Sequence, residues 1–185
     1  PAVFEELIDV FKTPVIEAYG MTEATHQMTS NPIPPEIQKA GFVGKPAGPD
    51  VCIMDIDGNK LEFGSEGEVC IQGDNVMHGY ENNEEANKSS FTNGWFRTGD
   101  QGFFDKDGYL KISGRLKEII NRGGEKVSPL EIDNIIMEQD AIEQVVTFGV
   151  KDKLLGEAIG VALVLKNGFQ CTEKELKEYA RQHLA

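Results

Sequence analysis

The chain has 185 residues, 39% hydrophobic and 26% charged, which suits one globular domain or parts of two. Its formal net charge of −13, from 31 acidic and 18 basic residues, argues against a nucleic-acid partner, because polyanion binding wants a basic field. No apolar run reaches the roughly 18 residues that a membrane span requires.

The predicted elements follow in chain order. Residues 2–12 place Val3, Phe4, Leu7, Ile8 and Phe11 on one helical face. Thr13-Pro14 stops that helix, Val15–Tyr19 reads as a strand, and Gly20-Met21-Thr22-Glu23 as a polar turn at its end. Residues 29–41, with Pro32, Pro34, Pro35 and Gly41, read as loop. From Val43 to about Ile112 the pattern is short strands: Val51–Asp55, Gly67–Gln72, Trp95–Phe96, Gly102–Phe104 and Tyr109–Ser113. Asp57-Gly58 and Asp107-Gly108 serve as hairpin turns. One helix lies near Glu84–Phe91. The expectation is a small antiparallel sheet or open barrel over about 43–113.

The pattern changes after Arg115. Ser128-Pro129-Leu130-Glu131 starts a helix, with Ser as N-cap, Pro at the first helical position and Glu completing a capping box. Ile132, Ile135 and Ile136 form its buried stripe, Ile142–Val150 and Ala158–Leu165 are strands, and Thr172–Glu175 caps a last helix whose face carries Leu176, Tyr179 and Ala180. The whole is α/β of the α+β kind. Residues 1–115 end a large domain, and 116–185 form a small β-α-β-β-α module, with the boundary at Arg115–Glu118. The chain opens at Pro1 without Met, signal or transit pattern and stops at Ala185 inside a charged helical stretch. Both ends read as cuts in a longer protein. Cys52, Cys70 and Cys171 lack metal-ligand spacing and read as buried free thiols in a reducing, intracellular compartment, with cytoplasm and peroxisome both open.

Three stretches carry chemistry. In Tyr19-Gly20-Met21-Thr22-Glu23, Thr22 can bond a phosphate, Glu23 can ligate Mg²⁺ through oxygen, and Gly20 lets backbone approach a ligand; an ordinary turn is the bland alternative. Phe96-Arg97-Thr98-Gly99-Asp100 sets a carboxylate at a tight corner. One carboxylate can accept both hydroxyls of a cis-diol, or simply cap the turn. In the run Gly114–Asp133, Arg115 after a Gly-Arg corner can pair bidentately with phosphate or carboxylate, and Gly123-Gly124 bares a loop beside which a narrow ligand can pass. A plain hairpin with a surface Arg is the alternative there.

The order Tyr-Gly-Met-Thr-Glu, Gly-Glu-Val-Cys-Ile-Gln-Gly, Arg-Thr-Gly-Asp and Gly-Arg-Leu-Lys-Glu-Ile-Ile resembles the adenylate-forming superfamily of acyl-CoA synthetases, luciferases and adenylation domains. Thr22–Met28, Asn75–Tyr80 and Asn121–Pro129 are similar to its oxalate–CoA ligase branch. The resemblance covers nearly the whole chain. It implies an ATP-dependent ligase that forms an acyl-adenylate and then an acyl-CoA, with ATP/AMP, Mg²⁺ and coenzyme A as cofactors and a small carboxylic acid as substrate. On that resemblance, Tyr19 and Gly20 line the adenine and acyl pocket, Thr22 contacts phosphate, Glu23 holds Mg²⁺, Asp100 binds the ribose hydroxyls, and Arg115 binds ribose or phosphate. Lys117 is the hinge of a rotating small domain, and Gly123 and Gly124 line the pantetheine tunnel. His26 either faces the second carboxylate of a diacid or is a structural hydrogen-bonder.

The resemblance also leaves two parts out. The family's Gly/Ser/Thr-rich phosphate loop lies upstream of Pro1 and its adenylation Lys downstream of Ala185. These residues alone are therefore not expected to catalyse adenylation. Another adenylating enzyme, with a medium-chain, aromatic, luciferin-like or carrier-bound substrate, and a truncated interaction module are the alternatives.

Overall fold

The computed structural model describes residues 4–183. It divides into two compact units, one running to Leu116 and one beginning at Lys117. Positions 2 and 3 of the expected first helix lie outside the described residues.

The first unit opens with α1 (Phe4–Phe11), β1 (Ala18–Met21), a single 3-10 turn (Thr22–Ala24), β2 (His26–Ser30) and β3 (Lys45–Pro46). These three strands form an antiparallel sheet. The strand begins and ends later than the Val15–Tyr19 expectation, because Gly20 and Met21 pair with Gln27 and His26 instead of turning. β2 also claims Thr29 and Ser30 from the expected loop. Met28 and Thr29 are fully buried there, a pair of adjacent residues that period-two reasoning does not single out. On α1, Phe4 and Ile8 are half-buried, whereas Leu7 and Phe11 are exposed.

A second antiparallel sheet follows. Its strands are β4 (Asp50–Met54), β5 (Gly67–Gln72), β6 (Phe91–Thr92), β7 (Trp95–Phe104) and β8 (Leu110–Arg115), with α2 (Glu84–Ser90) before β6. The strand order is β4-β5-β7-β6, and β8 pairs with β7. Both Asp-Gly turns form: Asp55 N donates to Asn59 O at 3.0 Å and Asp105 N to Tyr109 O at 2.9 Å. Val43 N bonds Leu110 O and Leu110 N bonds Gly44 O, both at 2.8 Å, tying the two sheets together. One core cluster joins Ala24, Met28, Ile71 and Phe96, and another joins Ile53, Val69, Phe104 and Leu110. Cys52 and Cys70 face each other directly across β4 and β5. Only Cys70 is buried, while Cys52 and Cys171 are half-buried, and all three are free.

Two expected corners prove to be strand. Trp95–Phe104 is one continuous strand, and the register against β5 slips between Glu68 and Cys70. Thr98-Gly99-Asp100 is therefore a bulge, and Gly99 adopts φ 75° there, a conformation that favours glycine. Gly114 and Arg115 end β8 in register with Gln101 and Asp100, so the chain turns after Arg115 and not at it.

The second unit contains β9 (Ile120–Arg122), β10 (Glu125–Val127), α3 (Pro129–Ile136), β11 (Ile142–Asp152), β12 (Gly156–Leu165) and α4 (Glu173–His183). Its sheet order is β10-β9-β12-β11. The β9–β10 hairpin adds a strand to the expected β-α-β-β-α order. Ser128 Oγ accepts from Glu131 N at 3.3 Å at the start of α3. Thr172 and Glu175 exchange side-chain-to-backbone bonds at 2.8 and 3.3 Å at the start of α4, a complete capping box. Ile132, Ile136 and Ile142 are the buried centre, with Val161, Leu163 and Leu176 packed against it. Among the described residues no helix is long and apolar enough to cross a membrane.

Candidate functional site

The β1–turn–β2 hairpin and the β7–β8 ladder meet at one carboxylate. Asp100, 4% exposed, sits in the bulge of β7. Its Oδ2 accepts from the Tyr19 hydroxyl at 2.5 Å. Its Oδ1 faces Arg115 Nε at 2.9 Å. Tyr19 is the more buried partner, and burial, reinforced by the bond to Asp100, pushes its phenol well above the ordinary value. Arg115 leaves about half of its side chain in solvent. A buried carboxylate is expensive unless paired and hydrogen-bonded. Arg115 is the direct partner of Asp100 across β7 and β8, whereas Tyr19 comes from 81 residues earlier in the chain.

The bulge is held from behind. Arg97 Nε donates to Glu68 Oε2 at 2.7 Å, and Gly99 N donates to Glu68 Oε1 at 2.9 Å. Thr98 Oγ1 donates to Val69 O at 2.8 Å and accepts from Asp100 N at 3.1 Å. Glu68 and Arg97 are both nearly buried. The motif Arg-Thr-Gly-Asp is therefore a scaffold as a unit: its Arg and Thr do not reach outward but fix the backbone that carries Asp100.

Gly20 also has a reason that sequence reasoning missed. A Cβ built there would sit 1.7 Å from the carbonyl oxygen of His26. The close approach is between two strands of one hairpin, where the register of β1 and β2 shifts. Gly20, Met21, Thr22, Thr25 and His26 line an open depression of about 470 Å³. Thr22 and His26 are exposed on its wall. His26 has φ 88° and Thr25 φ 54°.

Glu23, half-buried in the 3-10 turn, is gripped by the segment 75–80. Met77 N donates to Glu23 O at 2.8 Å. Asn75 Nδ2 donates to Ala24 O, and Thr25 Oγ1 to Asn75 O, both at 2.9 Å. The Tyr80 hydroxyl donates to Glu23 Oε1 at 2.8 Å. Burial and that bond push the Tyr80 phenol up. A single carboxylate with a free oxygen suits Mg²⁺, which completes its shell with water and substrate phosphates. Among the described residues no three acidic, His or Cys side chains gather as a dedicated metal cage.

Lys117, Gly123 and Gly124 belong to the second unit. Lys117 is exposed in the turn after β8. Gly123 and Gly124 connect Arg122 to Glu125 as a two-residue hairpin loop, with φ 64° and 94°, which glycine adopts without strain. A Cβ on Gly124 would meet nothing within 4 Å, and one on Gly123 would touch only Leu155 Cδ2 at 3.4 Å. Backbone conformation, not crowding by the chain itself, asks for glycine here, and the space beside the loop stays open.

Comparison with known proteins gives consistent matches. Residues 1–81 match the family model of the AMP-binding enzyme, and residues 131–185 that of the AMP-binding enzyme C-terminal domain. Oxalate–CoA ligase from Saccharomyces cerevisiae is 51% identical over all of this chain and 34% of its own length. The enzyme of the same name from Arabidopsis thaliana is 49% identical over all of this chain and 36% of its own. ATP-bound MatB from Rhodopseudomonas palustris superposes with a TM-score of 0.91 at 32% identity, over 98% of this chain and 36% of that one. The chain thus spans about a third of the length of the relatives it matches.

Proposed function

The chain belongs to the AMP-binding enzyme family, and on that premise we propose that it forms the later third of an ATP-dependent acid–CoA ligase acting on a small carboxylic acid such as oxalate. In the first half-reaction the acid's carboxylate oxygen attacks the α-phosphorus of ATP and pyrophosphate leaves. In the second, the CoA thiol attacks the acyl carbon and AMP leaves.

On this reading the residues take the following roles. Asp100 accepts the two ribose hydroxyls through the lone pairs that Tyr19 and Arg115 leave free, since each carboxylate oxygen carries two. Arg115, half in solvent, offers the rest of its guanidinium to ribose or phosphate. Tyr19 and Gly20 set the wall of the adenine and acyl pocket, and Thr22 bonds phosphate. Glu23 ligates Mg²⁺, which supplies charge stabilisation at the phosphates. His26, exposed beside Thr22, faces the second carboxylate of a diacid. Gly123 and Gly124 admit the narrow pantetheine arm past bare backbone. What most supports this reading is the meeting of Tyr19, Asp100 and Arg115 at one buried carboxylate, because a structural turn cap needs no such convergence.

The deciding experiment is AMP release by the full-length protein with ATP, Mg²⁺, CoA and a panel of acids from oxalate to long fatty acids. Oxalate is expected to be the preferred acid, and residues 1–185 alone are expected to show no ATP–pyrophosphate exchange. Release with a longer acid but none with oxalate would refute the substrate assignment.

The hinge role of Lys117 has its own test. Its neighbour Leu116 is fixed by N–H donation to Gly99 O at 2.9 Å, and Lys117 is the first residue of the second unit. Proline locks φ near −65° and constrains the residue before it. Lys117→Pro in the full-length enzyme is expected to impair one half-reaction far more than the other, since closing motions commonly limit turnover. Equal loss in both half-reactions, measured separately as pyrophosphate exchange and thioester formation from pre-formed adenylate, would count against it.

A further inference from the structure

Glu23 is a single ligand on a short turn, and a lone half-buried glutamate has rotamer freedom to lose on binding a cation. The chain restricts that freedom in two stages. The segment 75–80 first fixes the backbone of the turn, by Met77 N on Glu23 O and Asn75 Nδ2 on Ala24 O. Tyr80 then fixes the carboxylate itself, its hydroxyl 2.8 Å from Oε1. Tyr80 is pinned in turn: its N–H donates to Asn87 Oδ1 at 2.7 Å, and its carbonyl accepts from Asn87 Nδ2 at 2.9 Å. Asn87 lies in α2, and its own N–H donates to Asn83 O at 3.1 Å. Three side-chain bonds, two of Asn87 to the Tyr80 backbone and one of the Tyr80 hydroxyl, thus lead from a helix to one oxygen of Glu23. Nothing in core packing requires this, since Tyr80 is 36% exposed and its phenol makes no entry into the hydrophobic clusters.

We infer that Tyr80 is a positioning residue for the Mg²⁺ site, holding Glu23 Oε1 so that the other carboxylate oxygen points to the cation that accompanies the ATP phosphates. The inference rests on the reading of Glu23 as the Mg²⁺ ligand. A phenol suits the task because it donates to an ionised carboxylate and carries no charge to compete with the cation. Partners that orient a metal ligand typically change metal affinity by about 10–100-fold when removed.

The test uses the full-length protein and the variants Tyr80→Phe and Glu23→Gln. Mn²⁺ stands in for Mg²⁺, and its binding in the presence of a non-hydrolysable ATP analogue is read by loss of the free-Mn²⁺ electron paramagnetic resonance signal. ATP–pyrophosphate exchange is followed in parallel against free Mg²⁺. Tyr80→Phe is expected to weaken Mn²⁺ binding about tenfold and to raise the Mg²⁺ needed for half-maximal exchange by a similar factor. The maximal rate returns at high Mg²⁺, and the melting temperature without metal stays at the wild-type value. A merely structural Tyr80 would lower the melting temperature and leave the metal dependence unmoved, which overturns the proposal. If Glu23→Gln shifts the metal dependence and Tyr80→Phe does not, the positioning role falls and the ligand role stands. If neither shifts it, both fall together.

Discussion

Replacing Glu68 by alanine will destabilise the β5–β7 ladder by about 3–5 kcal/mol, the cost of leaving one partner of a buried ion pair uncompensated. Glu68 and Arg97 keep only 8% and 13% of their side chains exposed. Without the carboxylate, the guanidinium stays in a site that water barely reaches. The loss is doubled in kind, because Glu68 Oε1 is also the acceptor for Gly99 N. That amide sits half-buried in the bulge and has no ladder partner to fall back on, so its loss adds a part of the roughly 1–3 kcal/mol that a fully buried unpaired donor costs. Native-state hydrogen exchange in the full-length protein reads the effect locally. Amides of β5 and β7 are expected to lose protection, while those of β11 and β12 keep theirs. Glu68→Gln should recover part of the loss, since it retains an acceptor for Gly99. Full protection in Glu68→Ala would show that the pair contributes nothing to the bulge. The site should feel the change as well: Asp100 follows Gly99 in the chain, so ATP affinity is expected to fall with the protection of β7.

Gly20→Ala is the second large effect. The added methyl would sit 1.7 Å from the His26 carbonyl oxygen, and the obstacle is backbone, which cannot swing aside as a side chain can. The hairpin must open or change register, at a cost of about 1–3 kcal/mol or more by analogy with overpacked cores. Tyr19 on one side of Gly20 and Glu23 beyond it would both move. A misplacement of about 1 Å in positioning groups can reduce a rate by about 10²-fold. The expected result is a loss of that size in ATP–pyrophosphate exchange by the full-length enzyme, with the melting temperature lowered. Wild-type exchange in Gly20→Ala would mean that the close approach of the two strands is not required for the chemistry.

These two cases show where the sequence was legible. The strand Gly67–Gln72, the two Asp-Gly turns and the Ser128-Pro129 start of α3 appear where local pattern places them, because turn chemistry and capping act over two to four residues. Tyr19, Asp100 and Arg115 stood out by residue type and order, and the fold brings them together. The bulge at Thr98–Asp100 did not, since it depends on Glu68, a partner 31 residues from Gly99. The grip of Tyr80 on Glu23 spans 57 residues, and no spacing rule reaches that far. For Gly20 the sequence suggests room for a ligand, whereas the group that comes close in the structure is the chain's own His26 carbonyl. Of the β9–β10 hairpin, the glycine loop and one strand are legible and the second strand is not, because strands of three residues are too short for periodicity to register.

The facing thiols of β4 and β5 bear on how this protein can be labelled. Burial raises Cys52 to about 11 and Cys70 to about 12, and alkylating reagents consume the thiolate. Near neutral pH both are almost wholly protonated and slow to react. Cys171 lies in the second unit, half-buried just before α4 with only weak sulfur contacts to Gln139 and Thr172. Of the three thiols in this chain, a maleimide dye will therefore choose the one in the second unit, and a fluorophore can be carried there with the sheet of the first unit left unmodified.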